Sequence, residues 1–265
     1  MTTEQELEII KKKNDGVKLS VIMEEYSIKT PKTIYDIIKR NGIKKIGNKK
    51  YNVDENYFSI IDNEYKAYWL GFLYADGYVR MKYNRSGELK LKLSSKDKEH
   101  ILLFNKCISS NYPIKDSVST ILYKGQKSNS NVSTVSIYNT KIVNDLIKIG
   151  CVSKKTFVIR LPKIENSLYR HFIRGYFDGD GCLSESNKGH FTIKIISNEH
   201  FIEDIKNYLL SIGLNKIYIK TNGKVKSLLI YNIKDCLTFK NFIYDNSSIY
   251  LERKYKIFEK ISNNS

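Results

Sequence analysis

A nine-residue segment occurs twice in this chain, and each copy ends in an acid followed by glycine. The first is Trp69-Leu70-Gly71-Phe72-Leu73-Tyr74-Ala75-Asp76-Gly77, the second Ile173-Arg174-Gly175-Tyr176-Phe177-Asp178-Gly179-Asp180-Gly181. Both place small residues four apart in an apolar helical pattern, Gly71 and Ala75 in one copy, Gly175 and Gly179 in the other. Positions i and i+4 share a helix face, and small residues there let two backbones approach more closely than Leu allows. Gly77 and Gly181 suit the left-handed position that ends a helix. Asp76 and Asp180 fall in the last turn, where the macrodipole disfavours negative charge by roughly 0.3–1 kcal/mol. An acid placed unfavourably at the same point of two helices implies that it is used. If the helices pack together, two carboxylates meet at one end of their seam and suit a divalent metal. The plainer reading is a pair of buried helices with acids as caps. The repetition counts against it.

The likeness extends past these helices. Leu89-Lys90-Leu91-Lys92-Leu93-Ser94 follows the first copy and Phe191-Thr192-Ile193-Lys194-Ile195 the second. Period-two alternation predicts strands with one apolar and one polar, basic face. Each run leads into a helix, through Ser95-Lys96-Asp97 and Ser197-Asn198-Glu199, and Ser136-Ile137-Tyr138-Asn139 recurs as Leu229-Ile230-Tyr231-Asn232. Each half therefore reads as helix, two strands, helix, two strands, helix. A basic sheet face with Lys90, Lys92 and Lys194 could track phosphates and enter a major groove. An ordinary half-exposed antiparallel sheet has the same pattern. Tyr123–Val132, rich in Ser and Asn, reads as an exposed loop at a hairpin tip, carrying Lys124 and Lys127.

The paired segments resemble the LAGLIDADG motif of homing endonucleases, and the resemblance covers about residues 64–262. The Gly-x-x-x-Ala/Gly-Asp-Gly core stands in both copies. Trp69 and Leu70 replace Leu-Ala, Tyr74 replaces the earlier Asp and Arg174 the early Ala, but no metal ligand or packing glycine is lost. The resemblance implies an α+β fold: a pseudo-two-fold duplicated αββαββα core, a saddle of two antiparallel sheets, with halves at 64–160 and 161–265. It implies a metal site formed by Asp76, Asp180, Gly77 and Gly181, with the two acids catalytic and Mg²⁺ or Mn²⁺ as cofactor. Tyr176 and Asp178 are expected to point elsewhere. The family also places a basic residue near each scissile phosphate. Lys154 and Lys155 follow the first half's last helix, and Arg253 and Lys254 stand similarly in the second, so Lys154, Lys155 and Lys254 are the catalytic candidates. Ser95 and Ser197 fall where relatives hold water near the metals. The function implied is a site-specific double-strand cut in DNA by a monomer. A non-cleaving regulator with a helix-turn-helix, or a maturase acting on intron RNA, are the alternatives.

The charge agrees with a polyanionic partner: 45 Lys+Arg against 28 Asp+Glu give a net charge of +17. Residues 1–60 hold 12 basic and 9 acidic residues, and residues 61–265 hold 33 and 19, a net of +3 against +14. No run of about 18 apolar residues suggests a membrane span, and four Cys without a CxxC pair argue against zinc. An intracellular, soluble protein with free thiols is expected.

Residues 1–46 read as a separate all-α unit, with helices at about Glu4–Lys13, Val21–Tyr26 capped by Ser20, and Pro31–Arg40. Short helix, tight turn and longer helix resemble a helix-turn-helix, with Lys32 and Lys39 on its recognition helix. Three short helices are also the simplest small domain. Residues 47–63 read as a basic linker.

Overall fold

The computed structural model describes every residue except 16, 42–49, 82–85, 124–125, 154–157, 186–189 and 264–265. The chain divides into two compact units, Met1–Asn52 and Val53–Ser265.

The first unit consists of α1 (Thr3–Asn14), α2 (Leu19–Glu25) and α3 (Pro31–Arg40). Thr2 and Gln5 form a capping box at the start of α1, and Pro31 opens α3 with its ring-fixed φ. Ile9, Ile10, Ile22, Ile28, Ile34, Ile37 and Ile38 make a core of its own. The side chain expected to cap α2 does not: Ser20 lies inside the helix, whose N-cap is Lys18 with no side-chain bond. The turn before α3 contains Ser27 at φ 52°, a left-handed residue that reverses the chain tightly.

The second unit holds two similar halves. In the first, α4 (Glu64–Asp76) leads into β1 (Gly77–Arg80), β2 (Glu88–Ser94), α5 (Lys98–Cys107), β3 (Ile114–Tyr123), β4 (Gln126–Tyr138) and α6 (Thr140–Ile149). The second runs through α7 (Tyr169–Asp180), β5 (Cys182–Glu185), β6 (Phe191–Ser197), α8 (Glu199–Ser211), β7 (Ile217–Asn222), β8 (Val225–Ile230), α9 (Ile233–Tyr244) and α10 (Glu252–Asn263). The antiparallel sheets have equivalent orders, β1-β2-β4-β3 and β5-β6-β8-β7. The repeated Tyr-Asn pair explains itself here. Asn139 and Asn232 close a strand and cap the next helix by accepting from Ile142 N at 3.0 Å and Asp235 N at 3.2 Å.

Helices α4 and α7 pack against each other through the middle of the unit. All of Ala67–Ala75 is buried, as a helix apolar on every side requires. Leu89, Leu91 and Leu93 of β2 and Phe191, Ile193 and Ile195 of β6 turn inward, leaving Lys90, Lys92 and Lys194 on the opposite faces.

Two expectations require correction. The segment expected as linker at 47–63 packs on the core from Val53 onward: Phe58 is fully buried and Tyr57 nearly so, and Asp54 N donates to Ile108 O at 2.9 Å. Its aromatics outweigh its polar composition. The stretch expected as an exposed hairpin-tip loop at 123–132 does belong to a hairpin, but it is paired strand from Gln126 onward, with Gln126 opposite Tyr123. Ser and Asn are poor strand formers alone, but here each has a cross-strand partner.

Candidate active site and nucleic-acid interface

The seam between α4 and α7 is built on reciprocal glycines. A Cβ at Gly71 would overlap the carbonyl oxygen of Phe172 and stand 2.9 Å from Tyr176 N; one at Gly175 would overlap the carbonyl oxygen of Tyr68 and stand 2.9 Å from Phe72 N. Backbone thus touches backbone from both sides. One turn on, a Cβ at Gly179 would overlap that of Ala75 and lie 3.2 Å from Asp76 Oδ2. The carboxylate of α4 therefore reaches the end of α7, where Asp180 stands. Asp76 is half-buried and Asp180 exposed.

Gly77 and Gly181 are not left-handed, contrary to expectation. Their φ, ψ values of −72°, 145° and −69°, 154° are extended, and each chain passes straight from helix into strand. Glycine is required for space: a Cβ at Gly77 would stand 2.6 Å from Leu73 O, and one at Gly181 would enter the Phe177 ring.

Lys254 in α10 is 9% exposed and donates from Nζ to the carbonyl oxygen of Gly181. Burial and the neighbouring Arg253 pull its ammonium below the usual lysine range, while Asp178, Cys182 and Asp76 oppose them. Arg253 is committed elsewhere, its Nε donating to Asp97 Oδ1 and Oδ2 at 3.0 and 2.8 Å. Lys154 and Lys155 lie outside the described residues. Tyr176, expected to point away from the acids, donates from Oη to Ile196 O at 3.3 Å. Burial raises its hydroxyl above the usual tyrosine range, Ser197 opposes, and the fields of Asp180 and Asp76 add to the rise. Ser95 accepts from Ser133 Oγ at 3.3 Å.

Below the acids is a buried polar network that sequence reasoning missed. Asp178 is fully buried and accepts from Tyr68 Oη (2.8 Å), Tyr244 Oη (2.5 Å) and Leu251 N (2.7 Å). Arg174, also fully buried, donates to Ile249 O (2.8 Å), Ile243 O (2.6 Å) and Glu64 Oε1 (2.5 Å). Glu64 accepts in addition from Ser248 N at 2.8 Å. Together these side chains pin residues 243–251, the strap that delivers Lys254 to Gly181. In the first half Tyr74 takes the place of Asp178 and donates to Ile149 O at 2.7 Å. An Arg and an extra Asp in a buried helix pattern were the only available signal.

Tyr68 has one hydroxyl proton, and it goes to Asp178. The 2.8 Å contact between Tyr68 Oη and His100 Nε2 therefore requires His100 to donate. Burial first, and Arg253 second, hold His100 down at about 3. A histidine kept neutral when folded adds stability that is intact above its unfolded value near 6.5 and lost as pH falls toward 3. His100→Gln should flatten the acid limb of a stability–pH curve by up to about 1.4 kcal/mol per pH unit below pH 6.5. Urea melts between pH 7 and 4.5 measure this directly, and parallel limbs would contradict it.

The donors fit Mg²⁺ or Mn²⁺. Both are hard carboxylates, and among the described residues no group of three His, Cys, Asp or Glu is placed for a metal. Mg²⁺ commonly binds through one or two carboxylates and completes its shell with water and substrate phosphates.

On the sheets, Lys90, Lys92 and Lys194 lie on the faces opposite the core. Lys90 stands over the Tyr78 ring at 5.4 Å, Lys92 Nζ donates to Ser119 Oγ at 2.9 Å, and Lys194 is registered with Cys182 and Leu229. In the first unit Lys32 and Lys39 are exposed on α3. No helix among the described residues is long and apolar enough to cross a membrane.

Comparison with curated proteins finds no match. A family described as LAGLIDADG-like domain matches residues 167–244. Among solved structures, the homing endonuclease I-WcaI bound to its DNA recognition sequence superposes with a TM-score of 0.52 at 16% identity, over 77% of this chain and 91% of that one. A single-lysine variant of I-SmaMI gives 0.50 at 12% identity, over 76% and 90%. Full-length DUF199/WhiA from Thermatoga maritima gives 0.48 at 19% identity; the match covers 80% of this chain and spans 64% of that protein's length. Residues 167–244 thus match a LAGLIDADG-like domain, and the two-motif unit of this chain has the LAGLIDADG fold.

Proposed function

We propose that this protein is a metal-dependent, site-specific endonuclease that cuts both strands of a long duplex DNA target. The observation that carries this reading is the pair Asp76 and Asp180, retained together at the end of a glycine seam that brings their helices into backbone contact. A protein that only bound DNA would not require both acids there. A divalent ion bound to them would activate water and neutralise charge at the phosphodiester. The chain's own groups do the rest. Lys254, held by the Gly181 carbonyl, places a cation beside the second motif, and Lys90, Lys92 and Lys194 offer positive charge to phosphates along the sheet faces. Both halves lie in one chain, so a monomer suffices, and their differing sequences suit an asymmetric target. Duplexes selected by the full chain from a randomised library, then incubated with Mg²⁺ or with EDTA, test the reading. Double-strand breaks only with Mg²⁺ are expected. Specific binding without breaks in Mg²⁺ would make the protein a regulator.

The amino-terminal unit is assigned to extra DNA contact through Lys32 and Lys39 on α3. Its seven-isoleucine core is separate from that of the second unit. Removing residues 1–52 should leave a folded protein that still cuts at high concentration. Affinity should fall by about 10²-fold, because a tethered module adds binding through effective concentration. Titration of one target with both proteins decides it, and equal affinities would assign the three helices to another role.

A further inference from the structure

The β3–β4 ribbon outruns its sheet, and its counterpart does not. β2 pairs with β4 only over Val132–Tyr138, whereas β3 stays paired to β4 out to Gln126. Six residues of β4 therefore extend beyond β2. In the second half β6 pairs with β8 over Lys226–Ile230, and only Val225 extends beyond it. Five additional residues at ~3.4 Å each give ~17 Å, about five base-pair steps of duplex.

The ribbon's two faces differ in chemistry. Lys92 donates to Ser119, so Ser119 lies on the basic outer face of the sheet. Ser117 is two residues away on the same strand, and Ser130, which pairs with Ser119, and Ser128 continue that face along β4. Thr120 and Asn129 bond to each other at 2.7 Å on the opposite face. That face is open, with Val118 61% and Leu122 67% exposed. A two-stranded ribbon fits the major groove. Short hydroxyls on it can donate to or accept from any base edge, directly or through water, without adding charge. A bare hairpin is only marginally stable in water, so a groove that envelops it also supplies the packing it lacks.

We propose that the outer β3–β4 ribbon is a base-reading arm present in the first half alone, which makes that half-site about five base pairs longer than the other. The proposal rests on the DNA-binding reading above and adds to it an inequality of the target. The arm can be removed cleanly, because Ser117 and Val132 are cross-strand partners in the same phase as Tyr123 and Gln126. Residues 118–131 would be replaced by Asn-Gly in the full chain, and parent and variant footprinted on duplexes that the parent selected from a randomised library. The variant, six residue pairs shorter, should lose about six base pairs of protection at one edge and none at the other. A second variant, Ser117→Ala with Ser119→Ala, Ser128→Ala and Ser130→Ala, keeps the arm and its footprint. It should lose sequence preference over those outer positions when selection is repeated. Unchanged edges in the first variant, or unchanged preference in the second, overturn the arm while leaving DNA binding intact. A parent that selects no sequence and protects none defeats the DNA-binding reading itself, and the arm with it.

Discussion

Asp76→Asn and Asp180→Asn should each abolish double-strand cleavage while specific DNA binding stays within about tenfold of the parent, roughly 1.4 kcal/mol. The substitution keeps size and shape and removes one negative charge. Asp76 is half-buried and Asp180 exposed, so neither asparagine creates a buried charge imbalance, and thermal melts should stay close to the parent's. On the proposed reading, what is lost is the capacity to hold a divalent cation. The proposed site rests on two carboxylates, so each removal takes half of their charge. Loss of a comparable electrostatic group at other active sites slows reaction by about 10²–10³-fold, and here the metal's whole contribution is at stake. Linearisation of a plasmid carrying a selected target, beside gel-shift affinities for the same duplex, separates chemistry from binding. Full cleavage by either variant would remove that acid from the reaction. Cleavage and binding lost together would show that the acids hold the DNA or the fold.

Much of this architecture is legible in the sequence, because repetition doubles each signal. Leu89–Leu93 and Phe191–Ile195 alternate with period two and emerge as β2 and β6. Gly71 and Gly175 stand at one point of two apolar helices and meet each other's backbones. What escaped has a common cause: its partners are remote in sequence. The bonds from Tyr68 and Leu251 to Asp178 span 110 and 73 residues, and those of Arg174 to Ile243 and Ile249 span 69 and 75. Nothing local marks Leu251 N as the donor that Asp178 needs. Gly77 and Gly181 show another limit. A glycine after a helix suggests positive φ, and only the structure reveals that a Leu73 carbonyl or a Phe177 ring occupies the space of a Cβ. The ribbon at 126–131 was obscured by composition, since its Ser and Asn gain strand structure from each other.

Gly71→Ala and Gly175→Ala should be severely destabilising, and the corresponding Leu variants should fail to fold. Most glycine-to-alanine changes within a helix stabilise it, by up to about 1 kcal/mol. Here the sign reverses. The added methyl at Gly71 would overlap the Phe172 carbonyl oxygen, and that at Gly175 the Tyr68 carbonyl oxygen. Backbone atoms in the middle of a buried helix cannot rotate aside as a side chain does. The only relief is separation of α4 from α7, which opens the seam along its length and strains the packing of Trp69, Phe72, Phe172 and Phe177, all fully buried. Overpacking of this kind costs about 1–3 kcal/mol where neighbours can shift, and a rigid neighbour puts it at or above the top of that range. A loss of about 3 kcal/mol would lower the melting temperature by roughly 6–12 °C for a unit of this size. The same separation would draw Asp76 away from Asp180, so cleavage should fall further than stability alone accounts for. Melting within about 2 °C of the parent for Gly71→Ala, on the same scale, would mean that the two helices do not lie at backbone contact. The carboxylate pairing on which the proposed chemistry depends would then lose its geometric basis.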